Sequence, residues 1–181
     1  MEKQSWEGIV LRKGRSKERD QLLVIFNKEK GKQFVLAKGA NSITSRRVGI
    51  IDTFNVIRFD VAEHAGYAYL RNVDLVSRLQ VLKDNSGKRT SMLLAMDVLN
   101  RLLPVEEPET ELYEDMQQYL RALAVSHHTK QVTYHFLVTI LTTLGYYHDD
   151  IITFDDILRT VEEITQRDIR RTWKFLDATY A

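Results

Sequence analysis

The sequence of 181 residues contains no cysteine, which excludes structural disulfides, cysteine-based zinc sites and a cysteine nucleophile. It also lacks a long apolar run. The longest nearly apolar stretch, Phe136 to Leu144, is interrupted by threonine and is far shorter than the roughly 20 residues of a membrane span. The start, Met1 to Trp6, is polar and does not resemble a signal peptide. We therefore expect a cytoplasmic protein without a membrane partner.

The motifs of several enzyme classes are missing as well. There is no GxxxxGK[ST] phosphate loop, no GxGxxG fingerprint and no GxSxG elbow. His127, His128 and His135 form the only group of histidines, and no further ligands stand at the spacing of a metal site. The acidic pairs 149–150 and 155–156 precede or open a helix, where carboxylates stabilise the positive end of its dipole. We therefore predict no enzymatic activity, no cofactor and no metal.

The chain as a whole lacks a large net charge of either sign, since its formal net charge is only +1. The two parts of the chain nevertheless differ. Residues 1–80 hold 15 basic and 9 acidic side chains, whereas residues 81–181 hold 11 basic and 16 acidic ones. Net charges of +6 and −5 suggest two domains with different partners, although surface charge can also be uneven by chance.

The pattern of apolar residues changes near the same point. Before residue 80, short segments rich in Val, Ile, Leu, Phe and Tyr alternate with turn residues, which is typical of β-strands. Five such strands fit a small barrel, of which the OB-fold is the commonest five-stranded case. The predicted strands are Trp6–Lys13, Gln21–Phe26, Lys32–Lys38, Thr53–Val61 and Tyr67–Leu75.

After residue 85 the apolar residues recur at helical spacing. Helices are predicted over Ser91–Leu103, Glu109–Val125 and Lys130–Leu144, then after a capping box at Thr153–Asp156, and finally from about Thr165 to Thr179. We therefore predict an α+β multi-domain chain. A basic, nucleic-acid-binding OB-fold barrel of five strands would cover residues 1–80. An acidic, partner-binding, all-α helical bundle would cover residues 81–181, after a polar linker near Lys83–Gly87.

The positive charge of the first part is concentrated in the predicted loops beside the barrel groove. On an OB-fold the loop after the first strand flanks this groove, where lysine and arginine can neutralise phosphates. The residues predicted to bind nucleic acid are Arg12, Lys13, Arg15, Lys17, Arg19, Lys38, Arg46 and Arg47. A solvated basic loop is the alternative interpretation.

Aromatic side chains near these cations could stack unpaired bases. The candidates are Trp6, Phe34, Tyr67 and Tyr69. Since a small barrel needs large side chains inside, we expect each of them in the barrel core rather than on a stacking surface. Tyr67 and Tyr69 share one strand face, so they would serve together or not at all.

A second basic feature lies near the end of the sequence. Arg167, Arg170, Arg171 and Lys174 are spaced i, i+3, i+4 and i+7, so they would fall on one face of the predicted last helix. This face is either solvated or a second contact for nucleic acid or for an acidic peptide.

Several segments occur in an order that points to one protein family. They are Gly8–Arg12, Leu22–Gly31, Val35–Ala40, Ser45–Arg46, Leu93–Pro104, Glu111–Tyr113 and Phe136–Tyr146. The most specific is Ala37–Ala40. With these segments the sequence resembles the RecO family of bacterial recombination mediators. The resemblance implies an OB-fold followed by a helical domain, and DNA contacts at Arg12, Lys38 and Arg46.

The resemblance also implies a function in DNA repair and recombination. Family members bind single- and double-stranded DNA without ATP, anneal complementary strands and help to load RecA onto DNA coated by single-stranded DNA-binding protein. The implied direct partners are RecR and the acidic tail of single-stranded DNA-binding protein, and RecA is an indirect partner. The resemblance also implies that the protein is associated with the nucleoid. This chain departs from many relatives because it lacks their zinc-binding cysteine cluster and is shorter after Gly145-Tyr146.

Two alternatives to a DNA-binding mediator remain open from the sequence. The first is a protein-interaction adaptor in the same pathway, whose barrel binds DNA weakly or not at all. It is motivated by the acidic second half of the chain with its basic stripe. The second is a metal-dependent nuclease, for which no complete set of ligands is visible.

Overall fold

The computed structural model describes residues 5–16, 20–40 and 49–169, and the chain divides into two compact units. The first unit comprises Met1–Gln80 together with Pro104–Thr110, and the second comprises Val81–Leu103 and Glu111–Ala181. The short segment Pro104–Thr110 therefore belongs to the unit that contains the strands, although it lies between two helices in the sequence.

The strands of the first unit are Ser5–Arg15 (β1), Gln21–Asn27 (β2), Gly31–Ala37 (β3), Val56–His64 (β4) and Tyr67–Ser77 (β5). They close into a barrel in the order β1-β2-β3-β5-β4. Every neighbouring pair is antiparallel except β3 and β5, which are parallel over Val35–Ala68 and Leu36–Tyr69. The predicted fold class, a five-stranded barrel of the OB type followed by helices, is confirmed.

The barrel interior is filled by alternate residues of the strands, as a period of two requires. Leu23, Ile25, Ile57 and Phe59 are fully buried in this core, and Trp6 packs edge-on against Phe59 with ring centroids 6.0 Å apart. The core position of Trp6 agrees with the sequence prediction. The exposed Arg58 lies between two buried residues of β4, as the alternation of side chains along a strand requires.

The start of β4 differs from the prediction. The sequence predicts a strand from Thr53, but Thr53 and Phe54 form a turn in which Phe54 has a φ of 65°. The side chain of the buried Asn55 donates hydrogen bonds to the carbonyls of Gly49 and Ile50, at 3.0 and 2.9 Å. Because Asn55 satisfies these loop carbonyls, the chain turns here and becomes a strand only at Val56.

The second unit consists of helices with a common apolar interior. Their bounds are Gln80–Asp84 for α1, Ser86–Leu102 for α2, Thr110–Val125 for α3, Thr129–Thr143 for α4 and Phe154–Thr165 for α5. The first residues of α1 and α3, Gln80 and Thr110, still belong to the first unit. Met92, Met96, Leu99, Leu137 and Leu141 are among the fully buried side chains. Within the described residues, none of these helices has the length and apolar character needed to cross a membrane.

The polar segment near Lys83–Gly87 is not a linker, contrary to the prediction. Helix α1 continues to Asp84, and Asn85 is the N-cap of α2, with its side-chain oxygen accepting a hydrogen bond of 3.0 Å from the backbone of Lys88. A side chain that caps the first turn lets the helix begin five residues before the predicted start at Ser91.

Replacing the cap is expected to weaken the helical unit. Asn85→Ala removes the acceptor for the Lys88 amide, and such a change costs about 1 kcal/mol. Urea denaturation of the full chain measures this loss. Gln118→Ala, at an exposed position of α3, serves as the control and should change stability by less than about 0.5 kcal/mol. Equal effects of the two substitutions would contradict the capping role.

The predicted capping box at the start of α5 is present. Thr153 accepts from the Asp156 amide at 3.2 Å, and the Asp156 carboxylate accepts from the Thr153 amide at 2.9 Å. Hydrogen bonds from Thr153 hold the pKa of Asp156 below its usual value. The helix ends at Thr165, because Gln166 adopts a left-handed φ of 53°. The predicted last helix therefore does not begin at Thr165.

Candidate nucleic-acid interface

One row of side chains crosses three strands on the outer face of the barrel. The register pairs Arg12 of β1 with Val24 of β2, and Val24 with Phe34 of β3. Paired residues of a sheet share a face. The sequence neighbours of Val24, which are Leu23 and Ile25, lie in the barrel core. The row therefore lies on the opposite, outer side. Its two ends, Arg12 and Phe34, are both exposed.

A second row lies beside the first on the same face. The register aligns Gly14, Leu22, Leu36 and Tyr69 across β1, β2, β3 and β5. Beyond the end of β3, the exposed Lys38 places its ammonium 4.5 Å from the centroid of the Tyr69 ring. This distance is within the range of an attractive cation–π contact. A positive charge therefore lies against the half-buried Tyr69 ring at the end of the second row.

Two aromatic side chains are exposed where the sequence predicts core positions. Phe34 is 46% exposed and Tyr67 is 60% exposed, while Tyr69 is half-buried. The reason is strand alternation: Val35, Ala68 and Leu70 face the interior, so the residues next to them, Phe34, Tyr67 and Tyr69, point outward. The period-two pattern of β3 and β5 could have located them, whereas aromatic character alone misassigned them to the core.

A hydrogen bond connects the turn that carries Lys38 to the loop after β1. The Asp20 carboxylate accepts a hydrogen bond of 2.9 Å from the Gly39 amide, and the Asp20 carbonyl accepts one of 3.2 Å from Ser16. Gly39 has a φ of 65°, a conformation that glycine adopts without strain. Asp20 therefore helps to fix the position of the Lys38 backbone at the edge of the outer face.

The structure brings two of the predicted nucleic-acid-binding residues to this outer face, Arg12 and Lys38. Lys13 is also described, but its ammonium forms an ion pair with Asp52, so its charge is already compensated. Arg15 ends β1, and its side chain is outside the described part of the chain. The predicted residues Lys17, Arg19, Arg46 and Arg47 lie outside the described residues.

The second predicted basic site is only partly described. Arg167 is exposed and lies in the turn after α5, so it is not on a helix face as predicted, because the left-handed Gln166 ends the helix before it. Arg170, Arg171 and Lys174 lie outside the described residues, and their predicted placement on one face stays a prediction.

The opposite end of the β2–β3 hairpin is covered by the segment Pro104–Thr110. Val105 forms a parallel bridge with Lys32, and the Glu106 amide donates a hydrogen bond of 2.9 Å to the Lys32 carbonyl. Lys32 is only 7% exposed, and burial lowers the pKa of its ammonium. A ligand on the outer face would therefore contact the Lys38 end of β3 rather than the Lys32 end.

The helical unit contains an open cavity of about 310 Å³. Its wall includes Tyr119 of α3 and Phe136 of α4, whose rings stack with centroids 4.4 Å apart. Burial raises the pKa of the Tyr119 phenol, which is hydrogen-bonded to Thr133 at 3.2 Å. Asp115 and His135 also line the cavity. Among the residues that the structure describes, no group of three or more His, Asp or Glu side chains could hold a metal ion.

Comparison with known proteins identifies relatives of both units. The family model described as "Recombination protein O N terminal" matches residues 1–79, and "Recombination protein O C terminal" matches residues 87–149. These matches include every strand of the barrel, helices α3 and α4, and all of α2 except its first residue.

Similar curated proteins carry the name DNA repair protein RecO. The one from Caldanaerobacter subterraneus is 25% identical, over 77% of this chain and 57% of its own length. The one from Anaeromyxobacter dehalogenans is 27% identical, over 68% and 49%. The one from Pseudoalteromonas atlantica is 28% identical, over 77% and 57%. The chain thus spans about half the length of the curated relatives it matches.

Proposed function

The chain belongs to the recombination protein O (RecO) family, and from this premise we propose that it is a non-enzymatic mediator of DNA repair and recombination. The proposed activities are binding of single- and double-stranded DNA, annealing of complementary strands, and help in loading RecA onto DNA coated by single-stranded DNA-binding protein. The proposed direct partners are RecR and the acidic tail of single-stranded DNA-binding protein. RecA would be an indirect partner.

The observation that supports DNA binding most directly is the outer face of β1, β2, β3 and β5. It combines the exposed cations Arg12 and Lys38 with the aromatic side chains of Phe34, Tyr67 and Tyr69. Cations neutralise phosphates and release condensed counterions, whereas aromatic rings can stack with bases. The two rows that form this face contain no acidic side chain, so nothing within them opposes a polyanion.

We further propose that the basic residues of the neighbouring loops extend this interface. Lys17 and Arg19 follow β1 in the sequence, and Arg46 and Arg47 lie between β3 and β4. Arg15, at the end of β1, is the fifth member of this set. Lys13 would contribute less than these residues, because contact with a phosphate has to compete with its ion pair to Asp52.

A salt titration of single-strand binding tests the proposal. For the full chain, the logarithm of the affinity for an oligothymidine should fall linearly with the logarithm of salt concentration. The slope should be about 0.7 per contacted phosphate. The affinity can be measured by fluorescence anisotropy of the labelled oligonucleotide. Absence of binding at low salt, or binding that does not respond to salt, would overturn the proposal.

The second candidate function is that of a protein-interaction adaptor. It is favoured by the open cavity of the helical unit and by the net charge of −5 over residues 81–181. Replacing Arg15, Lys17, Arg46 and Arg47 together by glutamate separates the two candidates. A mediator should lose strand annealing with this variant, whereas unchanged annealing would favour the adaptor. Annealing can be followed by quenching between two labelled complementary strands.

A further inference from the structure

We propose that Phe34, Tyr67 and Tyr69 form an aromatic platform that stacks unpaired bases and makes the outer face prefer single-stranded over duplex DNA. This inference rests on the proposed function and deepens it, because it names the form of DNA that the site selects. The bases of a duplex are stacked on one another and cannot reach such a platform. A duplex would therefore gain only the phosphate contacts.

The three residues lie at the parallel seam between β3 and β5. Leu36 is the residue that pairs with Tyr69, and Phe34 and Tyr67 each lie two residues earlier on their own strands. Since side chains alternate along a strand, all three rings point to the outer face. The large exposed fractions of Phe34 and Tyr67, 46% and 60%, leave their surfaces accessible to a ligand.

The geometry of the tyrosine pair favours one base per ring. The ring centroids of Tyr67 and Tyr69 are 6.5 Å apart, and the ring planes are tilted by 58°. A single base inserted between two rings needs them to be parallel, so this pair cannot sandwich one base. Each ring instead offers its own face, which suits successive bases of an extended strand.

The contact with Lys38 gives the two tyrosines different roles. The Lys38 ammonium, 4.5 Å from the ring centroid, lies over one face of Tyr69 and restricts stacking there. The same contact places a positive charge beside the platform, where it can meet the phosphate of a stacked nucleotide. Tyr67 and Phe34 are therefore the principal stacking residues, and Tyr69 stacks a base only on the ring face that Lys38 leaves open.

Charge argues against a protein partner as the occupant of the platform. Arg12 stands at one end of the first row and Lys38 at the edge of the second, with only apolar side chains or glycine between the cations and the rings. Alternating cations and aromatic rings along a groove are the usual composition of single-strand-binding surfaces. A second copy of this chain would bring the same cations against each other.

The test compares the binding of single-stranded and duplex DNA to the full chain. The probes are an oligothymidine and a duplex of equal length, measured at one fixed salt concentration with the wild type, Tyr67→Ala and Phe34→Ala. Each variant should weaken single-strand binding about tenfold, which is the loss of one stacked base. Duplex binding should change less than twofold, and the salt slope should not change.

Two control variants separate loss of the ring from loss of the fold. Tyr67→Phe keeps the ring and should retain the single-strand affinity of the wild type. Tyr147→Ala, at a partly exposed tyrosine in the helical unit, should have no effect on either DNA form.

The outcomes distinguish this inference from the proposed function. In one outcome the wild type binds DNA with a steep salt dependence, but Tyr67→Ala and Phe34→Ala leave the affinity unchanged or weaken binding of both DNA forms equally. The proposed stacking platform is then overturned, whereas the proposed function stands. If the wild type binds neither DNA form at low salt, the proposed function fails and the platform fails with it.

Discussion

Gly31→Ala is expected to destabilise the barrel unit by about 2–5 kcal/mol. Gly31 has a φ of 67°, where a residue with a side chain pays roughly 1–2 kcal/mol. A Cβ at this position would also overlap the main-chain carbonyl of Glu107 in the covering segment. Because a backbone atom cannot move aside like a flexible side chain, this overlap adds a further 1–3 kcal/mol, roughly the cost of overpacking.

Two other glycines provide matched controls for this prediction. Gly66 has a φ of 77° but no atom within 4 Å of the position of its Cβ, so Gly66→Ala isolates the backbone strain. Gly14 has open space and no positive φ, so Gly14→Ala should be close to neutral. Urea denaturation of the three variants should rank Gly31→Ala as the most destabilised. A loss no larger than that of Gly66→Ala would show that the close approach of Glu107 is unimportant.

Reversing both cations of the outer face is expected to weaken single-strand binding about a hundredfold at low salt. The variant carries Arg12→Glu and Lys38→Glu. Removal of two phosphate contacts should also reduce the slope of the salt dependence by about 1.4, since each contact on a single strand contributes about 0.7. Anisotropy titrations at several salt concentrations give both quantities.

The matched control for charge reversal is Arg121→Glu. Arg121 is an exposed cation of α3, so this variant changes the net charge of the chain by the same amount as one reversal on the barrel. It should leave the affinity within twofold of the wild type. If Arg121→Glu weakens binding about tenfold, which is half of the effect of the double variant on a logarithmic scale, the affinity reflects the overall charge of the protein, and the outer face is not the site.

The local pattern of the sequence was enough to predict most elements. Segments rich in Val, Ile, Leu, Phe and Tyr between turn residues predicted the strands of the barrel, and apolar spacing with the capping box at Thr153 predicted the helices. Boundaries were less accurate where one polar side chain decides them. Asn55 delays the start of β4 and Asn85 advances the start of α2, because each supplies a hydrogen bond that hydrophobic periodicity does not contain.

The charged residues of the candidate site were predicted from the sequence, but the exposure of its aromatic residues was not. Arg12 and Lys38 are exposed, as their charge suggests, and the sequence places both beside predicted loops. Phe34 and Tyr67 were expected inside, because size and apolar character outweighed strand alternation. The burial of Lys32 could not be predicted at all, since it results from a bridge to Val105, which is distant in sequence.

The bridge between Lys32 and Val105 has a consequence for how the protein is made. An N-terminal domain usually folds as soon as its own residues have left the ribosome. Here the barrel unit includes Pro104–Thr110, which is synthesised only after α2. All five strands can therefore be translated while the Lys32 end of the β2–β3 hairpin is still open to chaperones or proteases. The barrel unit reaches its final form only when Thr110 has been translated.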